Sequence, residues 1–248
     1  MLIQRREDHV AILSLNDPTK RNALSMAMFD ALDAALETLR RDAGTRVILL
    51  RGEGPAFCAG FDLGAAVEHP AVMSVFIERL STLLRAIRRL PQPVVASVHG
   101  AAVAGGCAVV SACDLVFVES STKLGYPVHR IGLSPAVTLP TLIPKVGDGA
   151  ARALVMSGEL IDGATACRIG LASHVISGEA AMGGAATDFA RGLAAKPPGA
   201  VRATKAWLNE LDGSLADDHF DLPARDSARF ADDPASVELL RAAWRRGR

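Results

Sequence analysis

The sequence predicts an α/β fold whose strands sit mainly in the first half and whose last part is helical. Three observations carry this. The runs RVILLRG (46–52) and PVVASV (93–98) are continuously apolar and bounded by glycine or proline, as expected of strands buried on both faces. Segments with helical spacing of apolar residues separate them, so the order is strand, helix, strand. Beyond Asp148 the pattern turns mostly helical.

Taken in order, residues 9–15 alternate weakly and run into the turn-forming Asn16, Asp17 and Pro18, which predicts the opening strand. Over 25–41, Phe29, Leu32, Leu36 and Leu39 share a helix face and Ser25 takes the N-cap position. Over 73–90, Phe76, Leu80, Leu83, Leu84 and Ile87 point inward until Pro91 and Pro93 stop the helix. Residues 114–118 and 122–124 read as short strands; Asp162 reads as an N-cap and Gly170 as the residue after a helix end. KPPG at 196–199 marks a boundary, dividing the chain into 1–196 and a helical region over 197–248. That region carries Trp207, Phe220, Phe230 and Trp244 with too little chain to wrap its own core, so docking onto another part or another subunit is expected to bury them. The terminal Arg241, Arg245, Arg246 and Arg248 read as a solvated helix end.

Composition excludes several function classes. Lys plus Arg equal Asp plus Glu at 27 each, so no basic field exists to collect nucleic acid or an anionic membrane. Cys58, Cys107, Cys113 and Cys167 show no CxxC spacing, and three of them lie in apolar runs, which predicts reduced thiols, a cytoplasmic location and no metal. The charges within MLIQRREDHVAIL interrupt any leader-like apolar stretch, and no run approaches the ~18 apolar residues of a membrane span, so a soluble, unprocessed chain is expected.

Two glycine turns carry the chemistry. PAFCAGFDL (55–63) follows the first buried strand, and Gly60 permits a tight path that frees the next amide, on Phe61. After PVVASV, HGAAVA leads into Gly105 and Gly106, which open the helical run CAVVSAC. Amides at a helix start lack intrahelical partners and carry the positive end of the dipole. Two such donors on one oxygen make an oxyanion hole; glycines that only allow close packing are the alternative.

The motifs TKRNALS (19–25), GPAFCAGFDL (54–63), PVVASVHGAAVAGGC (93–107), ACDLVFV (112–118) and GELIDGATACRIGLASHVI (158–176) run in unbroken order and resemble the crotonase superfamily, the enoyl-CoA hydratases and isomerases. The resemblance covers nearly the whole chain. It implies a spiral of ββα units over 1–196, a helical C-terminal oligomerisation region over 197–248, and a homotrimer or homohexamer. It also implies an acyl-CoA substrate whose coenzyme A enters as part of the thioester, with no permanently bound cofactor. Carried over by position, the oxyanion-hole amides are those of Phe61 and Gly105, while Lys20, Arg21, Ala59, Asp62 and Leu63 line the path of the CoA moiety.

At two positions the chain departs from that pattern. The family's hydratases move water with two glutamates; Ala108 and Val128 stand at those positions, and Ala136 stands where some isomerases place a single carboxylate. None of these side chains transfers a proton, and one such group contributes ~10²–10⁴ in rate. His129, next to Val128, is the candidate replacement because an imidazole titrates near neutral pH. Adjacent side chains normally diverge, which argues against it. Glu78, His99, Glu119, Tyr126 and Cys107 are further neighbours for which structural roles are expected. Three functions stay open: a hydratase or isomerase with a relocated group, an enzyme whose substrate needs no base, such as a malonyl-type CoA decarboxylase, and a non-catalytic acyl-CoA-binding protein.

Overall fold

The computed structural model describes residues 1–246. Its main sheet has six strands, β1 (Leu2–Glu7), β2 (Val10–Leu15), β3 (Val47–Gly52), β4 (Val94–Val98), β6 (Leu115–Glu119) and β8 (His174–Ile176), in the order β1-β2-β3-β4-β6-β8. The β1–β2 pair is antiparallel and the others are parallel. A second layer is narrower. It contains the parallel pair β5 (Ala101–Val103) and β7 (Lys123–Gly125), extended by single bridges Leu24 to Phe61, Cys58 to Ala102 and Leu124 to Ile161.

The continuous apolar runs are explained by cover on both sheet faces. Ala11, Leu13, Leu15, Ile48 and Leu50 point into the large core with α1 (Met26–Arg41) and α3 (Val72–Arg89). The alternate residues Val10, Ile12, Val47, Leu49 and Val95 meet Met182, Ala186 and Ala190 of α7 (Glu179–Ala194) on the other face. Ser25 caps α1 by accepting from the Met28 N–H at 3.2 Å, and Asp162 caps α6 (Gly163–Arg168) by accepting from the Thr165 N–H at 2.8 Å.

One expectation needs correction. The strand over 10–15 is the second, because the charged LIQRRE pairs with it as a mostly exposed edge. Beyond Asp148 the chain is mostly helical as expected, and what went unread is β8, an edge strand too short and too exposed to leave a hydrophobic run. LIQRRE can carry its charges in a strand because an edge strand needs no apolar outer face.

The C-terminal helices α8 (Pro198–Leu211), α9 (Asp217–Ala231) and α10 (Pro234–Arg246) pack back onto the chain. Phe220 is fully buried, whereas Trp207 and Phe230 remain 67% and 57% exposed, so intrachain docking buries only part of the aromatic set. Arg241 and Arg245 are exposed; Arg248 and the side chain of Arg246 lie outside the described residues. Phe220, Ala224, Ala228, Ala231 and Leu240 dock α9 and α10 by joining the apolar core, and charge ties down α8. Lys205 is buried, its Nζ 2.7 Å from Asp114 Oδ2 and 3.0 Å from the Gln92 carbonyl oxygen, while Asp114 also accepts from the Val94 N–H at 2.7 Å. Burial pulls the Lys205 pKa down while Asp114 opposes that shift. Arg88 adds ion pairing to Asp212 beside it. Replacing Lys205 by Met removes one partner of a buried pair, so urea unfolding should show a loss of about 3–5 kcal/mol.

Close backbone contact joins the second layer to α4 (Gly105–Ala112). A Cβ added to Gly106 would lie 2.3 Å from the Cys58 carbonyl oxygen, and one added to Gly60, at φ +95°, 2.9 Å from that of Val103. Both obstacles are backbone. Gly106→Ala should therefore cost about 1–3 kcal/mol, as overpacking does, read as a lowered thermal midpoint.

Candidate functional site

Phe61 and Gly105 come together at the end of that second layer. Leu24 donates to the Gly60 carbonyl oxygen at 2.7 Å and accepts from the Asp62 N–H at 3.2 Å, so the bridge uses the groups on either side of Phe61. Groups alternate sides along an extended strand, and the Phe61 N–H therefore faces away from Leu24. Gly105 opens α4, and among the described residues neither its N–H nor that of Phe61 has a backbone acceptor. An ideal Cβ on Gly60 would lie 3.5 Å from Gly105 N, and one on Gly105 would lie 3.3 Å from Phe61 Cε1. The two turns are in contact.

Packing fixes each amide. The Phe61 ring lies 5.5 Å from that of Phe76 and 6.4 Å from that of Phe29, centroid to centroid, which ties its backbone to α3 and α1. Ala104 enters α4 with φ +51° and ψ −115°, a strained conformation for a residue with a Cβ, costing about 1–3 kcal/mol. Its N–H donates to the Gly125 carbonyl oxygen at 2.8 Å and its carbonyl oxygen accepts from Ala108 at 2.9 Å. Asn22, part of the TKRNALS motif but not singled out in it, holds the other turn. Fully buried at φ +56°, Asn22 donates to the carbonyl oxygens of Glu53 and Ala56 at 2.9 and 2.8 Å and accepts from the Asp17 N–H. The available signal was its residue type, since asparagine tolerates this backbone better than most.

Two spaces meet at Phe61. On one side lies an open groove of about 470 Å³ lined by Lys20, Arg21, Ala59, Asp62 and Leu63, all five residues carried over for the CoA path. Glu68 and Trp244 line it too, and Trp244 was legible only as an unplaced aromatic. Asp62 caps α2 (Leu63–Glu68), accepting from the Ala65 N–H at 3.3 Å, and pairs with Lys20 at 2.7 Å. That hydrogen bond and charge hold the Lys20 pKa above its ordinary value. Arg21 is exposed at φ +51°. On the other side lies a narrow cavity bordered by Ala104 and Gly105 and by Ile77 and Leu80 of α3.

Ala108 and Val128 both line the cavity, together with Tyr126, Leu133, Ser134 and Thr138. No carboxylate or imidazole lines it among the described residues. His129 sits on the same short 3-10 turn as Val128 (Pro127–Ile131) but is exposed and absent from the lining, because consecutive side chains of the turn diverge. Ala136 is also outside it. Glu119 bonds Ser120 and Ser121, Glu78 borders a separate surface groove, and His99 Nε2 lies 2.7 Å from the Gly54 carbonyl oxygen. Burial pushes the Cys107 thiol up to about 12 and the Tyr126 phenol well above its usual value. Both stay protonated at neutral pH. Among the described residues no cluster of three His, Cys, Asp or Glu suits a metal, and no helix is long and apolar enough to cross a membrane.

Chemically, the arrangement offers unpaired amides, one at a helix start, beside an apolar cavity: donors for negative charge developing on an acyl oxygen, with no titrating side chain at hand. Comparisons with known proteins identify the family. The chain is 36% identical to a Thermus thermophilus protein named as an enoyl-CoA hydratase, over 97% of this chain and 96% of that one. It is 31% identical to the mitochondrial methylglutaconyl-CoA hydratase of Mus musculus, over 81% of this chain and 66% of that one. The crystal structure of an enoyl-CoA hydratase/isomerase from Xanthobacter autotrophicus Py2 superposes with a TM-score of 0.89 at 27% identity, covering 99% of this chain and 93% of that one. Because the family model for enoyl-CoA hydratase/isomerase also matches residues 5–217, the chain belongs to the enoyl-CoA hydratase/isomerase family, the crotonase superfamily, and has its fold.

Proposed function

We propose that this protein is an acyl-CoA enzyme that stabilises a thioester enolate on the Phe61 and Gly105 amides and acts on substrates that form that enolate without a protein base. The observation that carries the reading is a pair of free amides beside a cavity whose lining has Ala108 and Val128 and no carboxylate. The CoA moiety would lie in the groove along Lys20, Arg21, Ala59, Asp62 and Leu63. Lys20 is already engaged by Asp62, so the exposed Arg21 is the better phosphate partner.

Decarboxylation of a malonyl-type CoA ester fits these parts. The bond between C2 and the carboxyl carbon breaks, its electron pair moves into the thioester enolate, CO₂ departs, and C2 takes a proton from water. The amides lower the barrier by holding the oxyanion, and one donor is worth ~10²–10³ in rate. Direct hydration of an enoyl-CoA by the two-glutamate route has no group to perform it here. His129 is exposed and not among the lining residues, which counts against the relocated-base alternative. Reduced cysteines fit a cytoplasmic setting, and the exposed Trp207, Leu211 and Phe230 offer apolar surface for a homotrimer or homohexamer.

The test is CO₂ release from methylmalonyl-CoA beside hydration of crotonyl-CoA. The former should exceed the latter by at least ~10², the contribution of one proton-transfer group; the reverse ranking sinks the reading. Since Tyr126 and Cys107 are both shifted upward and remain neutral, kcat/KM should be flat from about pH 6 to 8.5, whereas a base in the imidazole range would impose an inflection near ~6.5. Analytical ultracentrifugation should give a trimer or hexamer, and a monomer at micromolar concentration would remove the assembly from the proposal.

A further inference from the structure

The cavity wall holds two hydroxyl protons that the protein itself leaves poorly used. Tyr126 is 1% exposed. Its oxygen accepts from Thr138 Oγ1 at 3.1 Å, and the groups beside it that can take its own proton are the Cys107 thiol, a weak acceptor, and the Ser111 hydroxyl. Ser134 Oγ accepts from the Ala136 N–H at 3.3 Å and donates to no protein group among the described residues. Behind Thr138 the hydroxyl protons are already engaged: Ser111 and Thr141 lie 2.6 Å apart and reach the carbonyl oxygens of Ala108 and Thr138 at 2.7 and 3.1 Å, so Ser111 is shared between Thr141 and Tyr126. The rest of the lining is almost wholly apolar. A buried phenol that shares a thiol and an already engaged hydroxyl as acceptors is incompletely satisfied, and an oxygen of the substrate would recover that free energy.

We propose that Tyr126 and Ser134 are specificity-determining residues that donate hydrogen bonds to a second carbonyl oxygen, at C3 of the acyl group, so that the preferred substrates are short 1,3-dicarbonyl thioesters. The inference rests on the function proposed above and narrows it. Phe61 and Gly105 line the same cavity as Tyr126 and Ser134, so an acyl group whose thioester oxygen rests on the two amides has its next carbons beside those hydroxyls. A simple alkyl or enoyl chain leaves both protons unanswered. A C3 carbonyl answers them, and where that carbonyl belongs to a carboxylate, C3 leaves as CO₂ and its bonding pair passes to C2, so the enolate forms without a base. The shared chemistry has two sources, a malonyl-type carboxyl and a 3-oxoacyl ketone.

Titration calorimetry with methylmalonyl-CoA, acetoacetyl-CoA and butyryl-CoA separates them, with CO₂ and free CoA followed in parallel. At least one dicarbonyl ester should bind about tenfold more tightly than butyryl-CoA, the scale of two net hydrogen bonds. Preference for methylmalonyl-CoA assigns the carboxyl source, preference for acetoacetyl-CoA the ketone, and preference for both the shared carbonyl. In the Tyr126→Phe/Ser134→Ala double variant, which keeps the ring and removes only hydroxyls, the ratio should fall to about one. Butyryl-CoA binding as tightly as both dicarbonyl esters, or a preference that survives in the folded double variant, overturns the inference while leaving the acyl-CoA reading intact. Absence of binding by all three esters overturns both. Tyr126→Phe alone, with its thermal midpoint unchanged and the ratio reduced, provides the check that folding is not the cause.

Discussion

The contact on which the rest of the site depends is backbone against backbone: Gly106 of α4 against the Cys58 carbonyl oxygen, and Gly60 against the carbonyl oxygen of Val103. At these distances no side chain fits between the turns. The approach brings the strand end that carries Phe61 beside the helix start that carries Gly105, and the two N–H groups border one cavity as a result. Several parts of the chain maintain it. Asn22 pins the 53–56 loop, the Phe29, Phe61 and Phe76 rings clamp the strand end, and Gly125 accepts from the strained Ala104. The strain at Ala104 is tolerable because neighbours on both sides over-determine the turn.

The electrostatics follow from the same packing. A helix start with free amides attracts negative charge, and an apolar surrounding strengthens that attraction because water does not screen it. Burial acts oppositely on titratable groups, raising Tyr126 and Cys107 so that they stay neutral. The cavity thus combines two amides without backbone acceptors and neutral Tyr126 and Cys107 side chains. Outside it, the groove is nearly balanced in charge, with Lys20 and Arg21 facing Asp62 and Glu68. Long-range steering of a polyanion has little to draw on there; local contacts with the CoA moiety would have to provide affinity.

Much of the fold was legible because both sheet faces are covered. Strands buried on two sides leave unbroken apolar runs, so β3 and β4 stood out, and amphipathic α1 and α3 showed the expected face. Edge strands obey no such rule, which is why β1 and β8 escaped notice. Phe220 and Trp207 illustrate a further limit. Both are aromatic residues on amphipathic helices, yet one is fully buried against α3 and the other mostly solvent-facing, a difference set by how α8 and α9 lie on the core.

By itself, the sequence determined the two glycine turns, the residue types along the groove, and the absence of a carboxylate at Ala108 and Val128. Those depend on local conformation and residue identity, which one-dimensional order carries. Tertiary structure alone decided which neighbours reach the cavity. His129 and Val128 are adjacent in the chain but only Val128 lines it, while Tyr126, Ser134 and Leu80 arrive from different segments. Trp244 reaches Gly64 across most of the chain, its ring 3.4 Å from where a Cβ there would sit. Side-chain direction and long-range packing fix these placements, and neither is encoded in spacing along the chain.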